Sequence, residues 1–437
     1  MAKRKICILF SLACTVLLLA GGKDFSAEYK EKAASFNKKN AEEFVKIADW
    51  CKTNGLADEA TDCWNKALGY DPDNKTAKKG LGEPAPAAPA PEKLEELKKQ
   101  YADKAEKIKE KLADNSFNLG KWLAQKKKID LARAEYKKTI EIFPDHAGAR
   151  KELGQKKYED QWLTDDEIKT KQGLKKFQGK WVKAEEYDKS VAKLLDDTKK
   201  SFQGQYGLYF KMEYIPGYIM AFDTSDAKAK EIVNYMIDFH KMTYNTYFEK
   251  EIETPFNLIC FKTKRDYSSK SGADPQSEGM FIPPNNLYTY SETGVGTVFH
   301  EMVHGYLSLN FGGRLPQWFD EGFASYFEQP LVDFNSGKLL QIEYKNWRLP
   351  ALTGAISSNS YIPLDKFIKS DGAGSQLQLA EARYLICYLH KKGVLTDLIK
   401  SFMATPKNIN DVKAYEDALG MKIGDIEKDF ITFVKGL

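Results

Sequence analysis

The chain has little of several residue patterns that would give a function away. Its 437 residues include five histidines, His146, His240, His300, His304 and His390, so any two at ligand spacing carry weight. Its six cysteines, Cys7, Cys14, Cys51, Cys63, Cys260 and Cys387, contain no two-spaced pair, which removes the usual cysteine-based metal sites. Charge of one sign is also missing. Against 62 acidic residues stand 66 basic ones, and Lys3, Arg4 and Lys5 supply three of the net +4, leaving +1 for the rest. Such a balance makes no electrostatic case for nucleic acid. Beyond the first twenty positions no apolar run approaches the roughly 20 residues a bilayer span needs. What is present is a folding composition, 42% hydrophobic and 13% aromatic, in a chain long enough for two or three domains.

At the start, Lys3, Arg4 and Lys5 precede an apolar run over residues 6–20, closed by Ala20-Gly21-Gly22. A basic head, a run too short to span and small residues behind it predict a signal peptide over residues 1–22. The chain is therefore expected to be exported, to the periplasm or outside the cell, and soluble after cleavage. Ser11-Leu12-Ala13-Cys14 offers lipoprotein anchoring through Cys14 as the lesser alternative. The apolar run continues past Cys14, where a mature lipoprotein would turn polar.

The N-terminal half repeats itself at an offset of 72 residues. Trp50, Ala60, Lys66, Pro72, Asp73, Ala77, Leu81 and Gly82 recur as Trp122, Ala132, Lys138, Pro144, Asp145, Ala149, Leu153 and Gly154. Both copies resemble tetratricopeptide helix pairs, with a small residue where helices cross and a Pro-Asp turn after the second. Such units bury their faces by stacking and often present a groove, which implies a protein partner or recruited substrate. The first unit is placed at residues 23–82 and a Pro/Ala linker at 83–92. A charged helix with the second unit follows at 93–157. Cys51 and Cys63 fall on adjacent antiparallel helices; a disulfide and two separate buried thiols both remain open. Residues 158–199 form a connector with two related pieces, around Trp162 and Trp181, each read as a short strand running into a capped helix.

From residue 200 to 437 strands alternate with helices before the chain turns all-helical. Strands are expected at Tyr218-Ile219-Met220-Ala221-Phe222, residues 256–261 and residues 286–290. A helix capped by Thr224, Ser225 and Asp226 buries Ile232, Tyr235, Met236 and Phe239.

The chemistry concentrates in His300-Glu301-Met302-Val303-His304, followed after 13 intervening residues by Trp318-Phe319-Asp320-Glu321-Gly322. Residues four apart share a helix face, so His300 and His304 can grip one metal ion. Phe299, Met302, Val303, Tyr306 and Leu307 supply the apolar face, and Asn310, Gly312 and Gly313 the stop. A catalytic zinc takes three protein ligands and leaves a position for water. Glu321 is the proposed third ligand, with Glu328 its rival. Glu301, about 100° round the helix from His300, can serve as general base without binding the metal. Chance is the competing explanation, but with so few histidines it has an expectation on the order of 1 in 100 or below for this template.

Together these two segments, continuing as Phe323-Ala324-Ser325-Tyr326-Phe327-Glu328, resemble the gluzincin branch of the zincins, particularly small peptidase MA-like domains and, in the second segment, the aminopeptidases. The resemblance covers roughly residues 200–437. It implies Zn2+ held by His300, His304 and Glu321, with Glu301 taking the proton from the attacking water of peptide hydrolysis. It also implies an edge strand that binds peptide by strand addition. Residues 278–290 are the candidate, an ordinary edge strand being the alternative. Tyr326, Tyr384 and Tyr388 are available as oxyanion donors, none assigned.

Three departures qualify the resemblance. The interval from His304 to Glu321 is a residue or two shorter than in the large aminopeptidases. Their Gly-x-Met-Glu-Asn signature is missing, Glu278-Gly279-Met280 having those residue types in another order, so an endopeptidase is favoured. Ser325 stands where thermolysin-like enzymes carry an aspartate that orients a ligand histidine. The expected architecture is multidomain: an all-α tetratricopeptide-like region, then an α+β zincin-like domain with a small mixed sheet and a helical C-terminal subdomain. The rival function is a tetratricopeptide-type binding or scaffold protein carrying an inactive or structural zincin-like domain.

Overall fold

A computed structural model describes residues 22–84, 87–126, 128–223, 225–333 and 338–437. The signal-peptide and Cys14 readings, and Thr224, lie outside them. The chain is mostly helical, with a small mixed sheet and a run of C-terminal helices. It divides into two compact units, residues 23–172 and 173–437.

The first unit opens with α1 (Gly22–Thr53), α2 (Ala57–Tyr70) and α3 (Lys75–Leu81), then α4 (Pro91–Gln125), α5 (Ile129–Ile142) and α6 (Ala147–Glu152). Thr53 and Gln125, Ala57 and Ile129, Tyr70 and Ile142, Lys75 and Ala147 each stand 72 apart, so the sequence repeat is a repeat of element boundaries. The turn after each second helix is built alike. Asn74 N–H donates to Asp71 O at 3.0 Å and His146 N–H to Phe143 O at 3.1 Å. Asn74 Oδ1 and His146 Nδ1 then cap the next helix by accepting from Ala77 and Ala149 N–H, both at 3.0 Å, each satisfying an orphan donor. Ala60 and Ala132 are buried between helices. The first helices are longer than expected. At 32 and 35 residues, α1 and α4 each match a whole tetratricopeptide unit of about 34 residues. The charged segment behind the linker and the first helix of the second unit are one element, because no proline interrupts them after Pro91. Cys51 and Cys63 are buried free thiols, Cys63 Sγ lying 3.7 Å from Tyr101 Oη.

Each Trp piece of the connector is an antiparallel hairpin followed by a helix. The elements are β1 (Gln155–Tyr158), β2 (Gln161–Thr164) and α7 (Asp165–Lys171), then β3 (Leu174–Phe177), β4 (Lys180–Lys183) and α8 (Ala184–Tyr206). The leading strand of each hairpin was not legible, since its two central positions are lysines and no apolar alternation survives. A reciprocal capping box starts α7, with Thr164 N–H to Glu167 Oε2 at 2.7 Å and Glu167 N–H to Thr164 Oγ1 at 3.3 Å.

The second unit is built on a five-stranded sheet of β5 (Lys211–Ile215), β6 (Tyr218–Phe222), β7 (Phe256–Phe261), β8 (Met280–Ile282) and β9 (Asn286–Tyr290), in the order β5-β6-β7-β9-β8. The three central strands are parallel and both edges antiparallel. Alternation splits the central strands between two cores. Tyr218, Met220, Phe222, Leu258, Cys260 and Leu287 face the main core, while Ala221, Ile259, Phe261, Tyr288 and Tyr290 face a smaller one with Phe202, Tyr206 and Tyr267. Burial on both faces is why these strands read as continuous apolar runs.

The main core holds α9 (Asp226–Phe239), α11 (Val295–Phe311) and α12 (Gln317–Tyr326); α10 (Lys264–Ser271) covers the other face. A hairpin, β10 (Pro330–Asp333) with β11 (Lys338–Ile342), follows α12. The remainder is helical: α13 (Leu349–Ser357), α14 (Leu364–Lys369), α15 (Gln376–Lys391), α16 (Leu395–Ala404), α17 (Val412–Leu419) and α18 (Ile423–Lys435). The central one is α15, buried at every position from Ala380 to Leu389. It touches α12 so closely that a Cβ at Gly322 would stand 2.9 Å from Ala382 backbone. Among the described residues no helix is long and apolar enough to cross a membrane.

Burial of α15 takes Glu381 with it. Its Oε1 accepts from Ile362 N–H at 2.6 Å, but burial dominates and pushes the carboxyl up to about 7. A raised carboxyl pKa means the folded state binds more protons, so its contribution to stability is present below the unfolded pKa and lost as pH rises through 7. Glu381→Gln keeps an acceptor for Ile362. Its stability relative to wild type should improve by about 2 kcal/mol between pH 5 and 8 in denaturant titrations. A pH-independent difference would contradict the assignment.

Candidate metal centre

Helix α11 is placed by its small residues. A Cβ at Gly296 would lie 2.0 Å from the Glu328 carbonyl oxygen, and one at Gly305 would lie 3.0 Å from the Phe256 ring. The helix can therefore settle against the chain leaving α12 and against the sheet. Its predicted apolar face, Phe299, Met302, Val303, Tyr306 and Leu307, is fully buried. His300, Glu301 and His304 are left on the partly open side. Gly312 ends the helix at φ 63°, in the left-handed region glycine tolerates best.

The two histidine rings converge with Nε2 atoms 3.1 Å apart. Glu321 enters from the first half of α12, Oε2 lying 3.5 Å from His300 Nε2 and Oε1 3.9 Å from His304 Nε2. One donor atom from each of the three residues lies within 4.8 Å of the others. This is the predicted ligand set, and the rival Glu328 is not in it.

Behind the donors stands a ring of carboxylates. Asp320 Oδ1 is 2.8 Å from His304 Nδ1, and Glu328 Oε1 is 3.2 Å from His300 Nδ1. Arg348 holds Glu328 by two bonds, Nη2 to Oε1 at 2.7 Å and Nε to Oε2 at 3.0 Å. Burial works to lower both histidine pKa values, but the carboxylates outweigh it. Glu321 and Glu328 lift His300 to about 10, and Asp320 raises His304. Glu328, despite its own burial, is pulled down to about 2 by His300 and Arg348. With neutral imidazoles, Asp320, Glu301, Glu321 and Glu328 against Arg348 alone give a local charge of four negative less one positive, or −3. Nitrogen and oxygen donors in an anionic pocket fit a divalent metal ion.

Glu301 is held apart from the donor set. Its Oε2 accepts from Phe281 N–H of β8 at 2.8 Å. The approach depends on Gly279, where a Cβ would lie 2.9 Å from Glu301 Cγ and from Thr297 Cγ2. Around this point the surface forms a cleft of two lobes, about 500 and 460 Å³, which share Gly279, His300, Glu301 and Glu321. Met280, Phe281, Pro283, Leu307 and Leu315 give the first lobe an apolar part beside the polar Ser308, Arg314 and Asp320. The second is floored by Gly294 and Gly296, with Trp347 and Arg348 on its wall.

One expectation is revised. The strand directly before α11, β9, is internal; the edge is the short β8, which reverses through Pro283-Pro284 to pair with it. Of the tyrosines available as oxyanion donors but left unassigned, Tyr384 bonds Asn346, Tyr388 bonds Asp429 at 2.8 Å, and Tyr326 is buried among aromatics. None lines the cleft. Ser325 is buried and provides no orienting carboxylate; Asp320 and Glu328 stand at the histidines instead. Asp320 could have been found from its place beside Glu321. Arg348 and Phe281 gave no local signal, being 20 residues beyond Glu328 and a backbone donor. No protein-family model matches the chain, and no curated protein matches it.

Gly296→Ala tests the packing that sets the site. Its Cβ meets a backbone carbonyl that cannot swing aside, so thermal unfolding should show a loss of about 2 kcal/mol or more. An unchanged melting temperature would contradict the close approach.

Proposed function

We propose that the C-terminal unit hydrolyses peptide bonds with one zinc ion bound by His300, His304 and Glu321, in the manner of a gluzincin endopeptidase. The observation that carries this reading is the division of labour on α11. Two histidine nitrogens converge with Glu321, while Glu301 on the same helix is tied to Phe281 N–H outside the donor set.

Zinc bound there would polarise a scissile carbonyl and lower the pKa of water from 15.7 towards about 7. Glu301 takes the proton of the attacking water and returns it to the leaving amine. The Phe281 N–H holds one of its oxygens, so the other faces the cleft as acceptor. In an antiparallel edge strand the N–H and C=O of one residue point the same way, which leaves the Phe281 carbonyl available to a peptide laid along β8. Lobes on both sides of the donors support cleavage within a chain. Glu278 is committed to Lys264 at 2.7 Å and to Tyr290, so it offers no free carboxylate for a substrate amino terminus.

The paired helical hairpins of the first unit, tetratricopeptide-like in their turns, would recruit substrate or a protein partner. The leader read from the sequence would place the reaction in an exported protein. A scaffold with an inactive zincin-like unit would have no use for a carboxylate held beside the donors. Glu301→Gln should retain zinc at one per chain while losing about 10²–10⁴-fold in peptide cleavage rate. Full cleavage by that variant, or wild type without zinc, would refute the reading.

A further inference from the structure

We propose that Glu328, gripped by Arg348, is the positioning residue of His300. The inference rests on the zinc reading of the site and names what holds the first ligand in place.

His300 Nδ1 is enclosed and has no well-aligned hydrogen-bond partner among the described residues. The nearest acceptor is Glu328 Oε1 at 3.2 Å, off the ideal N–H direction. Buried polar atoms are almost always satisfied, and a small rotation of the ring aligns the bond. A histidine that gives Nε2 to a metal keeps its proton on Nδ1 and donates it to a carboxylate or carbonyl. Glu328 is that acceptor.

The position is unusual for the helix that supplies it. Glu321 lies inside α12, whereas Glu328 stands two residues past its end, and its backbone reaches α11 only because residue 296 is glycine. Its side chain is 7% exposed, and a carboxylate this deep requires a counter-charge. Arg348 supplies it in the bidentate geometry that lysine cannot reproduce, and Asn346 Nδ2 adds a long contact at 3.4 Å. His304 is supported differently. Its partner Asp320 is 38% exposed, so solvent can stabilise its charge. The two ligand histidines therefore differ, and of their two carboxylate partners Arg348 hydrogen-bonds the buried one, Glu328.

Zinc affinity measured by chelator competition on the purified full-length protein tests this, with cobalt absorption spectra of the same variants and melting temperatures of the metal-free forms. Glu328→Gln and Arg348→Met should each weaken zinc about 10–100-fold and alter the cobalt bands. The double variant should be no weaker than Glu328→Gln, because the two residues act in series. Arg348→Lys, which keeps charge and bulk, should fold and show an intermediate loss. Wild type that binds no zinc overturns the metal reading itself. Wild type that binds one zinc, with variants within twofold of it and unchanged cobalt spectra, overturns the positioning role alone. So does a double variant whose losses add.

Discussion

Four carboxylates crowded around two imidazoles form the constraint on which the rest of the C-terminal unit depends. Such a group repels itself unless positive charge balances it; without a metal the histidines take protons, His300 being lifted to about 10, and Arg348 holds Glu328. Everything near the site keeps this arrangement from relaxing. Gly296 lets α11 press on the chain at Glu328, Gly322 lets α12 press on α15, and Gly279 lets β8 reach Glu301. A methyl group at Gly296 or Gly322 would meet backbone and force elements apart, and one at Gly279 would displace the Glu301 and Thr297 side chains. The anionic cluster is held by close-packed backbone, and close packing transmits small displacements rather than absorbing them.

The same geometry separates binding from chemistry. His300 and Glu301 are neighbours in sequence, yet the helical turn sends one to the donor set and the other to the β8 edge. A single hydrogen bond from Phe281 N–H holds Glu301, the proposed base, by one of its oxygens. The sheet thus does more than carry the core. Its edge strand β8, only three residues long, reaches Glu301 because the chain reverses at Pro283-Pro284 to add it outside β9.

Much of this was legible in the sequence because it is periodic. The histidine helix, its buried face and its glycine stop follow from spacing alone, as do the strands at Tyr218–Phe222, Phe256–Phe261 and Asn286–Tyr290, whose apolar runs need no context. The 72-residue repeat marked the helix boundaries of the first unit. Other features left no periodic trace. The lysine-centred strands β1 and β3 are half-buried hairpin members without alternation. The edge β8 is too short to show a period, and the continuity of α4 through two anticipated segments showed only as the lack of a proline after Pro91, with no periodic signal. Arg348 reaches Glu328 across a hairpin, a contact set by tertiary packing. Glu328 itself was visible only as a competitor for the metal, because its distance from His300 Nδ1 rather than Nε2 is a property of three dimensions.

X-ray absorption at the zinc edge of the protein, purified without added metal, tests the central claim most directly. The account predicts one zinc per chain, with nitrogen and oxygen neighbours at about 2.0–2.2 Å, two of them imidazole, and no sulfur. Absence of zinc, or a sulfur shell near 2.3 Å, would contradict it.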